Sequence, residues 1–314
     1  MPLLRARHLW LFAPALLLAA AWCVRDGAGL TARDVHMTGE PRALGGQGAP
    51  APAAVVAQRR ERSAAIVPLQ ASRQDHDFDG QPDLYRYALQ LKSAADGGDA
   101  QASWRLSRVY DYCAGYAVDP AGYQADDRLV AQGASAGVQA MLAARGRVAQ
   151  RCAGFSSTDG LGAQAVTLQR LRAAEAGSLA AEAALLAQGK PLDESPDYRR
   201  ELVQRVLVSR DPEAYLALSA AMGAVASGDE AYRGYVAGTQ ISQLAWQLAA
   251  CKLGLDCGAR SPLMTSYCAN GGICSQDSSQ DFANFVLDAA VPRQGAGTLD
   301  DMVSTLVNGS GGST

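Results

Sequence analysis

From Pro82 onward, apolar residues recur at helical spacing and keep doing so for most of the chain. Leu84, Tyr85, Tyr87, Ala88, Leu91 and Ala95 form one stripe, the pattern of an amphipathic helix. The stripe stops at Gly97-Gly98-Asp99 and restarts with Ala100, Trp104, Leu106, Val109, Tyr110 and Cys113. Asp99 stands where an N-cap belongs, because its carboxylate can accept from the free N–H groups of a first helical turn. The small residues Ala94, Ala95, Gly97, Gly98 and Ala100 allow two helices to meet closely at this joint. A helix–turn–helix unit is therefore predicted here.

The pattern returns along the chain. A second unit begins near Tyr123, turns at Gly133-Ala134-Ser135, and carries Val138, Met141, Leu142 and Val148 toward Cys152. A third runs through Leu161, Val166, Leu168, Leu171 and Ala174, turns at Gly177-Ser178 and continues as LAAEAALLAQG. A fourth starts at Ser195-Pro196, a cap followed by proline at the first helical position. It turns at Arg210-Asp211-Pro212 before EAYLALSAAMG. A fifth turns near Gly238 and continues as ISQLAWQLAACKLG. The turns at Gly98, Gly133, Gly177, Arg210 and Gly238 are spaced as helical hairpins with variable loops would be. The fold expected is all-α, a helix-turn-helix repeat array (an α-solenoid) over residues 75–308, with residues 251–308 as a cysteine-containing helical C-terminal cap. The competing reading is a set of alanine-rich helices whose alignment is fortuitous. Two last helices are predicted near 279–289 and 299–307, the second with Thr298 and Asp301 as a variant capping box. Residues 309–314 read as a disordered tail.

The second halves of the units share an A-x-x-G-(D/S)-x-x-A pattern followed by an apolar helix. AADGGDAQASWRLSRVY and AAEAGSLAAEAALLAQG carry it best. They resemble Sel1-like repeats, relatives of the tetratricopeptide repeat, over the stretch from Pro82 to about Gly254. Where that family has a Leu-Gly pair before the tyrosine, this chain has Leu106-Ser107 in the first unit and Leu185-Leu186 in the third. The resemblance implies a helical scaffold or adaptor in envelope signalling or assembly.

The first 24 residues change the picture from fold to destination. Arg5 and Arg7 precede a nearly continuous apolar run over residues 9–24, interrupted only by Pro14. That run is short for a membrane span, which takes about 20 residues, and Ala19-Ala20-Ala21 offers a cleavage site. Residues 1–24 therefore read as a signal peptide or, if uncleaved, an N-terminal anchor. Lipidation at Cys23 is a weaker alternative, since Trp22 is bulky just before the cysteine. Residues 25–74, with Pro41, Gly45, Gly46, Gly48, Pro50 and Pro52, show no periodicity and read as a disordered linker. The expected location is the periplasm, or the inner membrane facing it.

Six cysteines follow Cys23: Cys113, Cys152, Cys251, Cys257, Cys268 and Cys274. In an exported chain an even set reads as disulfides. Cys251-x5-Cys257 and Cys268-x5-Cys274 share one spacing, and each has glycine three residues after its first cysteine, at Gly254 and Gly271. A left-handed helix stop there would bring the second cysteine back. Local pairs, with Cys113–Cys152 as the remainder, are favoured over the crossed pairing Cys251–Cys268 with Cys257–Cys274. Four thiolates on zinc are disfavoured, because zinc knuckles prefer closer spacing.

The formal net charge of −3 leaves no electrostatic footprint for nucleic acid. The three histidines, His8, His36 and His76, all precede the predicted helices. Ser-His-Asp and Cys-His chemistry therefore has no base. Asp75, Asp77, Asp79 and Asp83, around Gly80, form a D-x-D-x-D-G-x-x-D run that resembles the calcium loop of EF-hands. Arg86 stands where that loop has its bidentate glutamate, and Pro82 replaces an apolar residue. The alternative is an acidic helix start, with Asp83 complementing the helix dipole. Glu194-Ser195 is similar to the Glu-Ser pair of lytic transglycosylases, but the Gly-Leu-Met-Gln run that follows there is absent, and Pro196 makes Ser195 a cap. Trp104, Tyr110, Tyr112, Tyr116 and Trp246 either line a groove or pack between helices.

Two functions follow. The first is a non-catalytic, exported protein–protein interaction scaffold of the bacterial cell envelope, with protein partners, no resident cofactor beyond calcium at the acidic loop, and membrane contact only through an uncleaved N-terminus. The alternative is a periplasmic carboxylate-dependent enzyme acting on cell-wall or polysaccharide material, which would need two facing acids in a deep groove.

Overall fold

Thirteen α-helices and no strand are found among the residues that the computed structural model describes, 76–309. The expected export segment, the linker, Asp75 and residues 310–314 lie outside the described residues, as do the side chains of His76 and Asp77. The helices are α1 (His76–Gly80), α2 (Leu84–Asp96), α3 (Ala100–Ala117), α4 (Pro120–Val130), α5 (Ala136–Cys152), α6 (Ala163–Glu175) and α7 (Leu179–Ala187). They continue as α8 (Pro196–Ser209), α9 (Pro212–Leu218), α10 (Gln240–Lys252), α11 (Pro262–Ala269), α12 (Phe282–Ala289) and α13 (Ala296–Asn308).

Local chemistry sets the hairpins. Asp99 accepts from the Ala102 N–H at 2.7 Å and Ser178 from the Ala181 N–H at 3.3 Å, starting α3 and α7. The α2–α3 and α6–α7 turns are built alike. Gly98 donates to Ala95 O and Asp99 to Ala94 O; Gly177 donates to Ala174 O and Ser178 to Ala173 O. This is a Schellman stop, and it needs the positive φ that Gly98 and Gly177 supply at 88° and 99°. Between α8 and α9 the same role falls to Arg210 at φ 52°, the one non-glycine residue with positive φ among the described residues. Its guanidinium reaches Val307 O, and Asp211 caps α9.

Packing departs from a simple succession of hairpins. α3 packs against α2 and α6, α7 against α6, α8 and α9, and α10 against α9 and α13. The second expected unit, α4–α5, stands outside this line. α5 instead packs against α2, α3 and α4, and α11 comes back from far along the chain to lie on it. Arg147 Nε donates to Thr265 Oγ1 at 3.1 Å across that return. Between α7 and α8, Glu182 is gripped by Arg205 at 3.2 and 2.5 Å and accepts from the Tyr198 hydroxyl at 3.0 Å. One apolar cluster centres on the fully buried Trp246 and Tyr215, 5.0 Å apart; another joins α2, α3 and α5.

Three disulfides tie the described region, and they follow the local pairing: Cys113–Cys152, Cys251–Cys257 and Cys268–Cys274, with Cα–Cα distances of 5.5, 5.7 and 4.4 Å. They indicate an oxidising, extracytoplasmic environment. No helix of the described residues is long and apolar enough to cross a membrane.

Four expectations are corrected. Gly254 has the left-handed φ, but in the second cysteine loop it is Gly272 rather than Gly271. The segment before Gly238 is a run of turns, not a first helix, since its closely spaced glycines Gly223, Gly228 and Gly234 interrupt any periodicity. Thr298 lies inside α13 rather than capping it, because a 3-10 turn at 293–295 runs straight into that helix. His76 opens a short helix, where the sequence read as a loop.

Tyr123 on α4 is buried against Tyr116, with the Arg145 guanidinium 3.7 Å above its ring. Its hydroxyl meets no partner among the described residues. Burial pushes its phenol up to about 12, as it does that of Tyr215. A phenol raised in the folded state contributes stability that is present below pH ~10 and lost as pH rises through ~12. Tyr123→Phe is expected to leave urea stability at pH 7 within about 0.5 kcal/mol of the parent and to flatten the decline between pH ~10 and ~12. Parallel declines in parent and variant would contradict this.

Candidate functional site

The fold-back of α11 faces the α3–α6–α7–α9 line across a cleft of about 440 Å³. Helical periodicity supplies its walls. Trp104, Arg108, Asp111 and Tyr112 project from one face of α3, and Glu213, Leu216 and Ala217 from one face of α9, followed by Ala220. Ala184, Ala187 and Gln188 of α7 add small and polar surface, and Arg170 comes from α6. Across the cleft stand Pro262, Leu263, Ser266 and Asn270. Phe78 of α1 closes one side.

The charged groups are paired. Arg108 forms a buried ion pair with Glu213, lies 3.8 Å from Asp79, and stacks 4.2 Å from the Phe78 ring centroid. Arg170 Nη2 donates to Asp111 at 2.8 Å, and Asp111 remains largely exposed. The two guanidiniums and two carboxylates on the cleft walls balance. Neither acid faces the other as an unshared pair; each meets an arginine. Tyr112 has its phenol raised by burial, opposed by Arg151 and Arg147.

Two donors are left over. The indole N–H of Trp104, a residue only 5% exposed, and the Nε–H of Arg170 meet no acceptor among the described residues. A buried donor without an acceptor costs about 1–3 kcal/mol.

Of the aromatic residues singled out from the sequence, Trp104 and Tyr112 line this cleft. Tyr110 packs on Phe155, Tyr116 on Tyr123, and Trp246 is fully buried with its N–H on Val236 O. Over the acidic stretch the chain is helical from His76 to Gly80. Asp79 is turned to Arg108, and Asp83 caps α2 by accepting from the Arg86 N–H at 3.0 Å. No three His, Cys, Asp or Glu residues are grouped to hold a metal among the described residues. Ser195 caps α8 by accepting from Tyr198 N–H. Arg108, Arg170 and Glu213 have no local signature; only the i, i+4, i+7 spacing of Trp104, Arg108 and Asp111 marks a shared polar face. No protein-family model matches the chain, and neither a curated protein nor a solved structure is found similar to it.

Proposed function

We propose that this chain is a non-catalytic, exported scaffold of the bacterial cell envelope that holds a segment of a partner protein in the α3–α11 cleft. The observation that carries the reading is the cleft's construction. Side chains from separate helical hairpins converge on one concave surface with a small-residue floor, aromatic walls and balanced charge, which suits a polypeptide. We read α2–α3, α6–α7 and α8–α9 as hairpins of a Sel1-like, tetratricopeptide-related array, with α4–α5 inserted after the first. The like-built turns at Gly98 and Gly177 support this reading. The periplasm, or the periplasmic face of the inner membrane, fits the disulfides and the N-terminal segment.

The test is affinity capture of the tagged full chain from chemically cross-linked bacterial envelopes, beside an Ala187→Trp variant that fills the cleft. One or two stoichiometric partners, lost in a variant that keeps its thermal stability, are expected. Partners retained by the variant would move the binding surface elsewhere. Glycan fragments, with no protein partner, would favour the carboxylate-dependent enzyme.

A further inference from the structure

We infer that Arg147 and Arg260, at the seam where α11 lies on α5, hold a phosphate group carrying about two negative charges. The inference does not depend on what the cleft holds. Arg145, on the same helix, is matched by Asp127, and Arg108, Arg170, Arg199 and Arg205 each have an acid too. Arg147 and Arg151, one turn apart on α5, have none among the described residues. Arg151 is taken up by the carbonyl groups of Phe78, Asp79 and Gln81. Arg147 donates through Nε to Thr265 Oγ1 at 3.1 Å, in the first turn of α11. Its two terminal nitrogens meet no acceptor among the described residues, yet they are not among the buried atoms left without one. The residue is half-buried, so the outer edge of its guanidinium reaches solvent. Arg260, exposed and two residues before α11, adds a second cation. Three nearby features could have supplied the missing anion, and none does. The Tyr112 phenol is raised by burial, against Arg151 and Arg147, so it stays neutral at pH 7. Asp79 is turned to Arg108. The start of α11 adds positive potential rather than negative, and Ser261 already caps it by accepting from the Met264 N–H at 3.2 Å. Burial holds the Arg147 guanidinium below its ordinary range; Tyr112 opposes that and Arg260 adds to it. The seam thus presents reachable guanidiniums with uncompensated charge in a chain whose formal net charge is −3. A guanidinium edge fits a carboxylate or a phosphate through two parallel hydrogen bonds. Two open cations favour the dianion.

The experiment uses the ¹⁵N-labelled full chain and reads the Arg147 Nε–H resonance, assigned by its loss in Arg147→Lys. Methyl phosphate, a monoester that is largely doubly charged at pH 7, is added at constant ionic strength against sodium chloride. It is expected to move the resonance saturably, and sodium acetate to bind about fivefold more weakly or worse, having half the charge. Arg260→Gln, at an exposed position, is expected to keep the Tm of the parent and to weaken methyl phosphate about threefold to fivefold. Sedimentation with vesicles of phosphatidylcholine, alone or mixed equally with phosphatidic acid, separates the sources of the phosphate. Extra binding to the mixed vesicles that Arg260→Gln removes would place the group on a lipid. Equal binding to both vesicles, with methyl phosphate still bound, would place it on a soluble ligand. No saturable movement with methyl phosphate, acetate binding as tightly, or an affinity unchanged by Arg260→Gln would each overturn the inference.

Discussion

Glu213→Gln is expected to lower the unfolding free energy by about 3 kcal/mol, the low end for breaking a buried ion pair from one side. Glu213 is 4% exposed, and its Arg108 partner lies under the Phe78 ring. The neutral amide leaves a guanidinium in a desolvated position with the Asp79 carboxylate 3.8 Å away. That neighbour moderates the loss. Arg108→Met is expected to be worse, because it leaves both Glu213 and Asp79 without their shared cation. Urea unfolding checks the order: Arg108→Met below Glu213→Gln below the parent, with unchanged m-values. A loss under about 1 kcal/mol for both would mean that the pair behaves as a solvated surface bridge, at odds with its burial.

The second large effect belongs to the bridge between the ends of α3 and α5. Cys113→Ala/Cys152→Ala is expected to cost about 4 kcal/mol and on the order of 10 °C in Tm, because the bridge closes a 39-residue separation and both sulfurs are fully buried. Either short bridge, with a separation of 6, is worth about 2 kcal/mol on the same loop-closure reasoning. Differential scanning calorimetry of the three double variants gives the ranking. If a short bridge mattered most, native-state packing around α11 rather than chain entropy would be the dominant contribution.

Much of the local structure was legible from residue chemistry. Asp99 and Ser195, read as caps, do cap α3 and α8, and Ser178 and Asp211, read only as turn residues, cap α7 and α9, because capping depends on a side chain and the backbone two or three residues on. The cysteine pairs were legible for a similar reason: two of the three close short loops. What escaped is set at long range. The apolar stripes predict successive hairpins, yet α3 packs against α6 as well as against α2 and α5, so the α4–α5 unit falls outside the line. No residue in α11 signals its return to α5; Thr265 and Arg147 are 118 positions apart. The cleft was illegible because it is made by that return. Trp104 and Tyr112 looked equally like packing residues, and Arg108 and Glu213, 105 positions apart, like ordinary surface charges.

The same return governs when the molecule becomes competent. One wall of the cleft is written at residues 104–112 and the opposite wall at 262–270. A chain emerging N-terminus first can close its early hairpins as they appear, since those contacts are local. The cleft, however, waits for α11 to arrive and settle on α5. A nascent or C-terminally shortened chain that lacked α11 would carry its early helices and no groove, so the proposed binding site would exist only once residues 262–270 were in place.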